Sequence, residues 1–529
     1  MKKITSILTL FYIIPFALLV LALLFYSTIK SEYFEIGLEN EIPTVVYDNP
    51  TLHIIIFIVF LATLLCFSKI INFPFFKSIK KYLTSKYFRY TLVIYSGIIS
   101  LTLLLLLKSN AYMDCLALID TANRFNSGDW SPLTDASHSS YLYIYSFQIG
   151  FIAYLQLIFK LFGENNIWAV QFINCIGVMF LINALCKITD LVFKNTKISV
   201  LSKLLLALIM PLYINIVFVY GDVLGWSFAI CGIYHVLNYC HNNNYKELIL
   251  SSILFAFGYL LKTNIAIFII AAIIIIFLNA FRQKKHLSLI FIIIIPFITI
   301  LSSAILKNTY ANIAGIEQYP KGTPAVCWIA MAMIEDDNFP EGWYNGYNLN
   351  TFKESGYDYE IAQDMAISTI KERLQYFSEN PRAMVRFYRN KLIFSWIDPE
   401  FDSQIKLEWS TRHVEDLSPL ALSLIYGTGR NILFTVMNEL QFTIFAGILA
   451  ELLYIMISIM KKKKENIKHY MYMSYIILPI FGGMLFHLIW ETQPRYMIGY
   501  YSMLFPIAAA GLVHMVSAIS KIKQKSARK

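Results

Sequence analysis

Apolar residues along this chain come in long unbroken runs. The stretches 264–281 and 287–305 carry almost no charge, and each is long enough to cross a ~30 Å hydrocarbon layer as a helix. The same pattern predicts twelve crossings: 5–27, 51–69, 90–108, 168–188, 199–218, 224–240, 248–261, 264–281, 287–305, 437–460, 468–488 and 497–517. The stretch 248–261 is the shortest of these. Met1–Lys2–Lys3 opens an apolar run too long for a signal h-region, and no A-x-A-like site follows it, so it reads as a first anchor. The expected fold class is an all-α polytopic membrane protein.

One apolar stretch does not fit as a crossing. Residues 141–162 are long enough, but counting them would reverse the side of every later loop. Gln148, Gln156 and Lys160 fall within about 120° of one another on a helical period, which predicts an amphipathic helix in the membrane interface. Before it, Cys115, Leu118, Ile119, Ala122 and Phe125 recur at helical spacing, with Asp114, Asp120, Thr121 and Arg124 on the other side. The first large outer loop thus holds interfacial helices. The largest polar region, 306–436, reads as a small extracytoplasmic domain with helices at 359–380 and 382–396. The organisation expected is 1–89, two N-terminal spans and a basic loop; 90–305, a transmembrane core with outer loop 109–166; 306–436, the outer domain; and 437–529, the last spans and a basic tail.

Composition sharpens this picture. Of 529 residues, 57% are hydrophobic and only 15% charged, where a soluble domain has roughly 25% charged. The net charge of +10 could suggest nucleic acid, but its positions argue against that. Basic residues cluster at the ends of apolar runs: Lys77/Lys80/Lys81/Lys86/Arg89, Arg282/Lys284/Lys285, Lys461–Lys464 and Lys521/Lys523/Lys525/Arg528/Lys529. That is the positive-inside pattern, with both termini cytoplasmic in a multi-pass plasma-membrane protein. The acid-rich segment 29–50 falls outside. Seven cysteines show no metal-ligand spacing, and Cys115 and Cys327 alone lie in outer loops.

The chemistry-bearing residues share one level, the outer membrane boundary. Asp114 follows the third span and Asp222 the fifth, Lys262 and Asn264 turn between the seventh and eighth, and Glu491, Arg495 and Tyr496 sit in ETQPRY before the last. The plain alternative for each is a snorkelling or capping residue. Together they suit one reaction. A carboxylate accepts the proton of an attacking hydroxyl, and Arg and Lys neutralise a departing phosphate. HExxH and GxSxG are absent and the nine His are scattered. No cofactor is singled out; a divalent metal stays open.

These residues stand in an order that resembles the GT-C glycosyltransferases, closest to the bacterial protein-mannosyltransferase and aminoarabinose-transferase branch (family 39-like). The resemblance lies in the Asp114 loop with Ala122 and Gly128–Asp129, Lys160–Leu161–Phe162–Gly163, Asn166–Ile167–Trp168…Gln171, Gly258–Tyr259–Leu260–Leu261–Lys262–Thr263–Asn264 and Glu491…Arg495–Tyr496. GWYNGY (342–347) and FYRNKLIFSW (387–396) extend it into the outer domain. It implies an inverting transferase that moves a sugar from a polyprenyl-phosphate donor to a hydroxyl of a cell-envelope acceptor, on the extracytoplasmic face. The acceptor would be a wall glycan, teichoic acid, lipid or protein. By the same resemblance Asp114 is the general base, and Arg495 and Lys262 bind the donor phosphate. Asp222, Glu491, Tyr496 and Asn264 support them, Asp222 by orienting the acceptor and Glu491 by pairing Arg495. Cys115 stands where the family commonly has a second acid, so Asp120 is the rival base.

Two other readings compete. A transporter or flippase of a lipid-linked sugar needs ionisable groups or broken helices at mid-membrane, and the predicted spans are nearly free of midpoint charge. An O-antigen-ligase or polymerase-like enzyme needs Arg and His within the large outer loop, where Arg382, Arg386, Arg389 and His413 would serve. The first two spans, 5–69, precede the resemblance and read as a partner-docking unit or a further anchor.

Overall fold

A computed structural model describes residues 2–37, 42–460 and 467–526. The Lys461–Lys464 cluster, Arg528 and Lys529 lie outside the described residues.

The amino-terminal unit is helix α1 (Lys2–Ile29), strands β1 (Lys30–Phe34) and β2 (Pro43–Tyr47), and helix α2 (Pro50–Ile70). Asn49 caps α2 by accepting from the Thr51 N–H, and Pro50 supplies a preset φ at its first turn. After a basic loop with α3 (Lys77–Leu83), α4 (Lys86–Leu107) returns to the first end of the bundle. There α5 (Asp114–Asn126), α6 (Ser131–Thr134), α7 (Tyr141–Ile144) and α8 (Ile149–Phe162) form a group of short helices. The core continues with α9 (Ile167–Phe193), α10 (Thr196–Leu206), α11 (Met210–Ile214), α12 (Asp222–Asn242), α13 (Tyr245–Leu261), α14 (Ala266–Gln283) and α15 (Phe291–Ala314). Six helices make the polar region: α16 (Ala325–Met331), α17 (Tyr347–Glu354), α18 (Tyr359–Glu379), α19 (Pro381–Trp396), α20 (Ser403–Thr411) and α21 (Pro419–Tyr426). Finally α22 (Thr428–Met460), α23 (Ile467–Ile489) and α24 (Pro494–Ser526) close the bundle.

Among the described residues, ten helices are long and apolar enough to cross a membrane, or eleven if α10 and the helical stretch Met210–Val217 are one span bent by 51°. The sequence pattern gives about twelve, and the two predicted stretches outside the ten are both helical. The predicted crossing 199–218 is the bent pair, broken where Pro211 starts a new helix. The predicted 248–261 is α13, which has 17 residues and carries Glu247 in its first turn. Both packing and polar contacts shorten the apolar run there. Glu247 Oε2 lies 2.5 Å from His235 Nδ1, and Asn238 donates to Glu247 Oε1 at 2.8 Å.

Two further elements differ from the sequence pattern. The acidic stretch 29–50 forms an antiparallel hairpin registered from Lys30↔Tyr47 to Phe34↔Pro43. Its inner face carries Glu32 and Phe34 into the interior, and Ser31, on the opposite face, is buried as well. Arg430 fixes it, with its guanidinium 4.1 Å over the Tyr33 ring, a 2.5 Å bond to the Tyr33 hydroxyl and a second bond to the Phe34 carbonyl. The predicted continuous helix 141–162 is instead α7, a 3₁₀ turn at Ser146–Gln148, and α8. Gln148 is buried, away from the polar edge predicted for it, because its amide donates to the Tyr220 hydroxyl. The helical faces predicted for 114–126, 359–380 and 382–396 correspond to α5, α18 and α19. Cys115 and Cys327 are both free and buried in separate apolar clusters.

Candidate active site

Four helix starts meet at one end of the bundle: those of α5, α12, α20 and α24. Each contributes a polar side chain there: Asp114, Asp222, Lys406 and Arg495. The turn between α13 and α14 joins them. Two glycines allow the close approach. A Cβ on Gly150 would lie 1.9 Å from the Leu260 carbonyl oxygen, and one on Gly221 would lie 1.9 Å from that of Leu261. Only glycine lets α8 and the start of α12 close on this turn.

Lys262 is thereby brought to Asp222, Nζ to Oδ1 at 2.9 Å, and the two side chains are only 13% and 4% exposed. The ammonium also lies 4.6 Å from the Tyr220 ring centre and 5.0 Å from that of Tyr496. Burial pushes Lys262 below the usual lysine range, and Asp222 opposes that shift. Asp222, Lys262, Asn264, Trp226, His487 and Tyr496 line a cavity of about 10 Å³, room for a single water. A sugar phosphate therefore does not fit behind Lys262 in this conformation.

The ETQPRY turn supplies the second cation. Pro494 begins α24, where its missing N–H costs nothing. Arg495 donates from Nη2 to the Tyr496 hydroxyl at 3.1 Å, and that hydroxyl donates to Glu491 Oε1 at 2.9 Å. Glu491 thus reaches Arg495 through Tyr496. The guanidinium lies 5.6 Å from the Phe218 ring centre. Its backbone N–H, one of the orphan donors of α24, is capped by Asp402 Oδ2 at 3.0 Å. That cap depends on an unusual backbone: Phe401 and Asp402 have φ of 50° and 58°. Asp398 holds the loop by accepting from the Glu400 and Asp402 N–H groups at 2.8 and 2.6 Å. Left-handed backbone at two successive non-glycine residues is costly and persists where surrounding bonds over-determine it.

Asp114 is the first residue of α5 and is exposed. The preceding Met113 takes φ 46° and ψ −128°, another strained position. Asp114 is within electrostatic reach of Tyr141 and Tyr220. Burial raises the Tyr220 hydroxyl first, Asp114 raises it further, and Arg495 opposes. Burial likewise pushes the Cys115 thiol up to about 12, with Asp114 adding and Lys406 and Arg495 opposing. One carboxylate and two cations are therefore all within electrostatic reach of the Cys115 thiol.

Lys406 was not among the sequence candidates. It is buried in α20, 5.6 Å from the Phe218 ring centre and 5.1 Å from that of Trp409. Asp398 and Asp402 were also missed, and so was Glu32, which the hairpin inserts beside them. The run IDPEFDSQIKLEW (397–409) alternates charges with apolar and aromatic residues, a signal for a buried polar segment. Nothing local marks Glu32. Asp120 lies apart: it is exposed and sits 3.8 Å from Arg124, which also binds Asp129 at 2.6 Å. Among the described residues, no three His, Cys, Asp or Glu side chains are grouped so as to hold a metal ion.

Comparison with known proteins falls on the centre of this arrangement. Residues 149–303 match the family model described as dolichyl-phosphate-mannose-protein mannosyltransferase. The match covers less than a third of the chain and supports a membrane glycosyltransferase of the GT-C type. The matched segment contains Asp222, Lys262 and Asn264, whereas Asp114, Glu491 and Arg495 lie outside it. Among curated proteins and among solved structures, no match emerges.

Proposed function

We propose that this glycosyltransferase transfers a sugar from a polyprenyl-phosphate donor to a hydroxyl of an envelope acceptor, with inversion, at the extracytoplasmic face of the plasma membrane. The observation that carries the reading is the meeting of Arg495 and Lys406 over the Phe218 ring, with Asp114 within electrostatic reach of Cys115 and Tyr220. Asp114 accepts the proton of the acceptor hydroxyl. The freed oxygen attacks the anomeric carbon from the side opposite the phosphate. The carbon–oxygen bond to phosphate breaks, and polyprenyl phosphate leaves with that electron pair. Arg495 offers a fork to the phosphate oxygens, and Lys406 adds a second charge. Lys262, held by Asp222, tunes the field behind Tyr496 and contacts the phosphate if the cavity opens. Glu491 orients Arg495 through Tyr496.

Charge distribution supports the orientation. Lys86 and Arg282 lie at the helix ends opposite the site, as the positive-inside rule requires for a site facing out. The acceptor is a glycan, teichoic acid, lipid or protein hydroxyl.

The direct test is Asp114→Asn in purified enzyme with a polyprenyl-phosphate sugar. Loss of a general base costs about 10²–10⁴-fold in rate, so transfer falls at least a hundredfold while the thermal transition stays in place. Transfer within threefold of wild type rejects Asp114 as the base. Asp120→Asn should leave the rate within threefold.

A further inference from the structure

The amino-terminal helix and the polar domain enclose a groove that the proposed reaction does not use. It has a volume of about 430 Å³ and is lined by Leu19, Ala22 and Tyr26 of α1, Val385 and Leu392 of α19, and Leu488 of α23. From Leu19 to Tyr26 it follows α1 for about 10 Å, at 1.5 Å per residue. The lining is apolar except at one end, where Arg389 stands.

That end is cationic. Lys30, one turn beyond Tyr26, has its ammonium 5.6 Å from the Tyr26 ring centre and 5.9 Å from that of Phe394. Burial lowers Lys30, Glu32 opposes that shift and Arg389 adds to it, so the two cations are within electrostatic reach of each other. Two acids, Glu32 and Glu341, lie within electrostatic reach of Lys30 and offset part of this charge. Glu341 accepts from Asn390 at 2.7 Å. Glu32 is buried on the inner face of the hairpin, where burial and its acidic neighbours hold it well above the usual carboxylate range. On α19, Arg382, Arg386 and Arg389 fall within about 60° of one another at 100° per residue, with Arg386 also 3.4 Å from Glu335. Beside this basic edge, Val385 is 62% exposed. A basic edge next to an exposed apolar face is the pattern of a helix seated among anionic lipids.

We propose that the groove between α1, α19 and α23 is a binding site for an anionic membrane phospholipid, with its headgroup phosphate between Lys30 and Arg389 and an acyl chain along α1. A phosphate there meets both cations, and the chain covers apolar groove surface that the described residues leave open. Neither Lys30 nor Arg389 is among the charges that shift Lys262 or Tyr220, so this seat is separate from the proposed active site and does not depend on its chemistry.

Native mass spectrometry of the full-length protein tests it. The protein is released from mild detergent after incubation with equal phosphatidylglycerol, phosphatidylcholine and undecaprenyl phosphate. Wild type should retain phosphatidylglycerol at least fivefold over phosphatidylcholine. Lys30→Ala/Arg389→Ala should bring the two to parity, and Ala22→Phe, which fills the groove, should reduce retention without touching either charge. Equal retention by wild type overturns the proposal, as does retention unchanged in both variants. Displacement of phosphatidylglycerol by undecaprenyl phosphate overturns it in favour of the donor's own lipid.

Discussion

Asp222 and Lys262 show how a single buried pair ties stability to function. Each is nearly enclosed, and each is the other's closest opposite charge. Removing one partner of a buried pair leaves an uncompensated charge, which costs about 3 kcal/mol or more. Asp222→Asn should therefore lower the thermal transition, measured by scanning fluorimetry. Adding Lys262→Met removes the stranded ammonium and should recover most of the loss without restoring transfer. If the single variant is as stable as wild type, the pair contributes through chemistry alone. Tyr496 bridges the other charges: Tyr496→Phe cuts the path from Arg495 to Glu491. A lost hydrogen bond to charged groups is worth about 1.5–3 kcal/mol, so kcat/KM should fall about tenfold or more, and an unchanged value would show that Arg495 needs no such brace.

At the scale of elements, the hairpin β1–β2 does what the sequence did not suggest. It delivers Glu32, 0% exposed, beside Asp398 and Asp402. Burial first, and then Asp402, raise Asp398 to about 8, and burial raises Glu32 well above its usual range. Both acids hold their protons more tightly folded than unfolded. Their contribution is full below about pH 4 and is lost as pH rises through the folded value near 8 for Asp398. Hairpin docking should weaken over that window. Hydrogen exchange of residues 30–34 should speed up as pH rises, beyond the intrinsic base catalysis of exchange, and Glu32→Gln should flatten the excess. No excess in wild type would mean the acids are ionised together at neutral pH. Because Asp402 caps Arg495, the same loop links this element to the active site.

For the whole molecule, the question is whether residues 1–69 are an appendage. The structure joins them to the rest at several points: Arg430 grips Tyr33 and Phe34, Phe34 stacks on Trp343 with ring centres 6.2 Å apart, and Asn438 donates to Asp48 at 2.9 Å. A chain starting at residue 70 loses all of these and exposes the acid pocket. It should insert in the membrane yet lose transfer activity and show a lower thermal transition; retained activity would make the segment an anchor only. Much of this organisation was legible beforehand. Long uncharged runs located nearly all the spanning helices, because an apolar helix in lipid has to satisfy its backbone within itself. Asp114, Asp222, Lys262, Glu491 and Arg495 were legible as charges at span ends.

What the sequence determined by itself was the class of molecule, the spans and the end of the bundle that holds the polar residues. These follow from local hydrophobicity and charge, which need no partner to be read. Tertiary structure alone decided which charges meet. Lys262 lies opposite Asp222 because Gly150 and Gly221 admit a backbone contact, and Lys406 joins Arg495 over Phe218 because α20 packs on α11 and the turn after it, while Asp402 at its start caps α24. Glu32 enters from more than 360 residues away in the chain. Such pairings rest on packing between distant segments, and no local pattern encodes them.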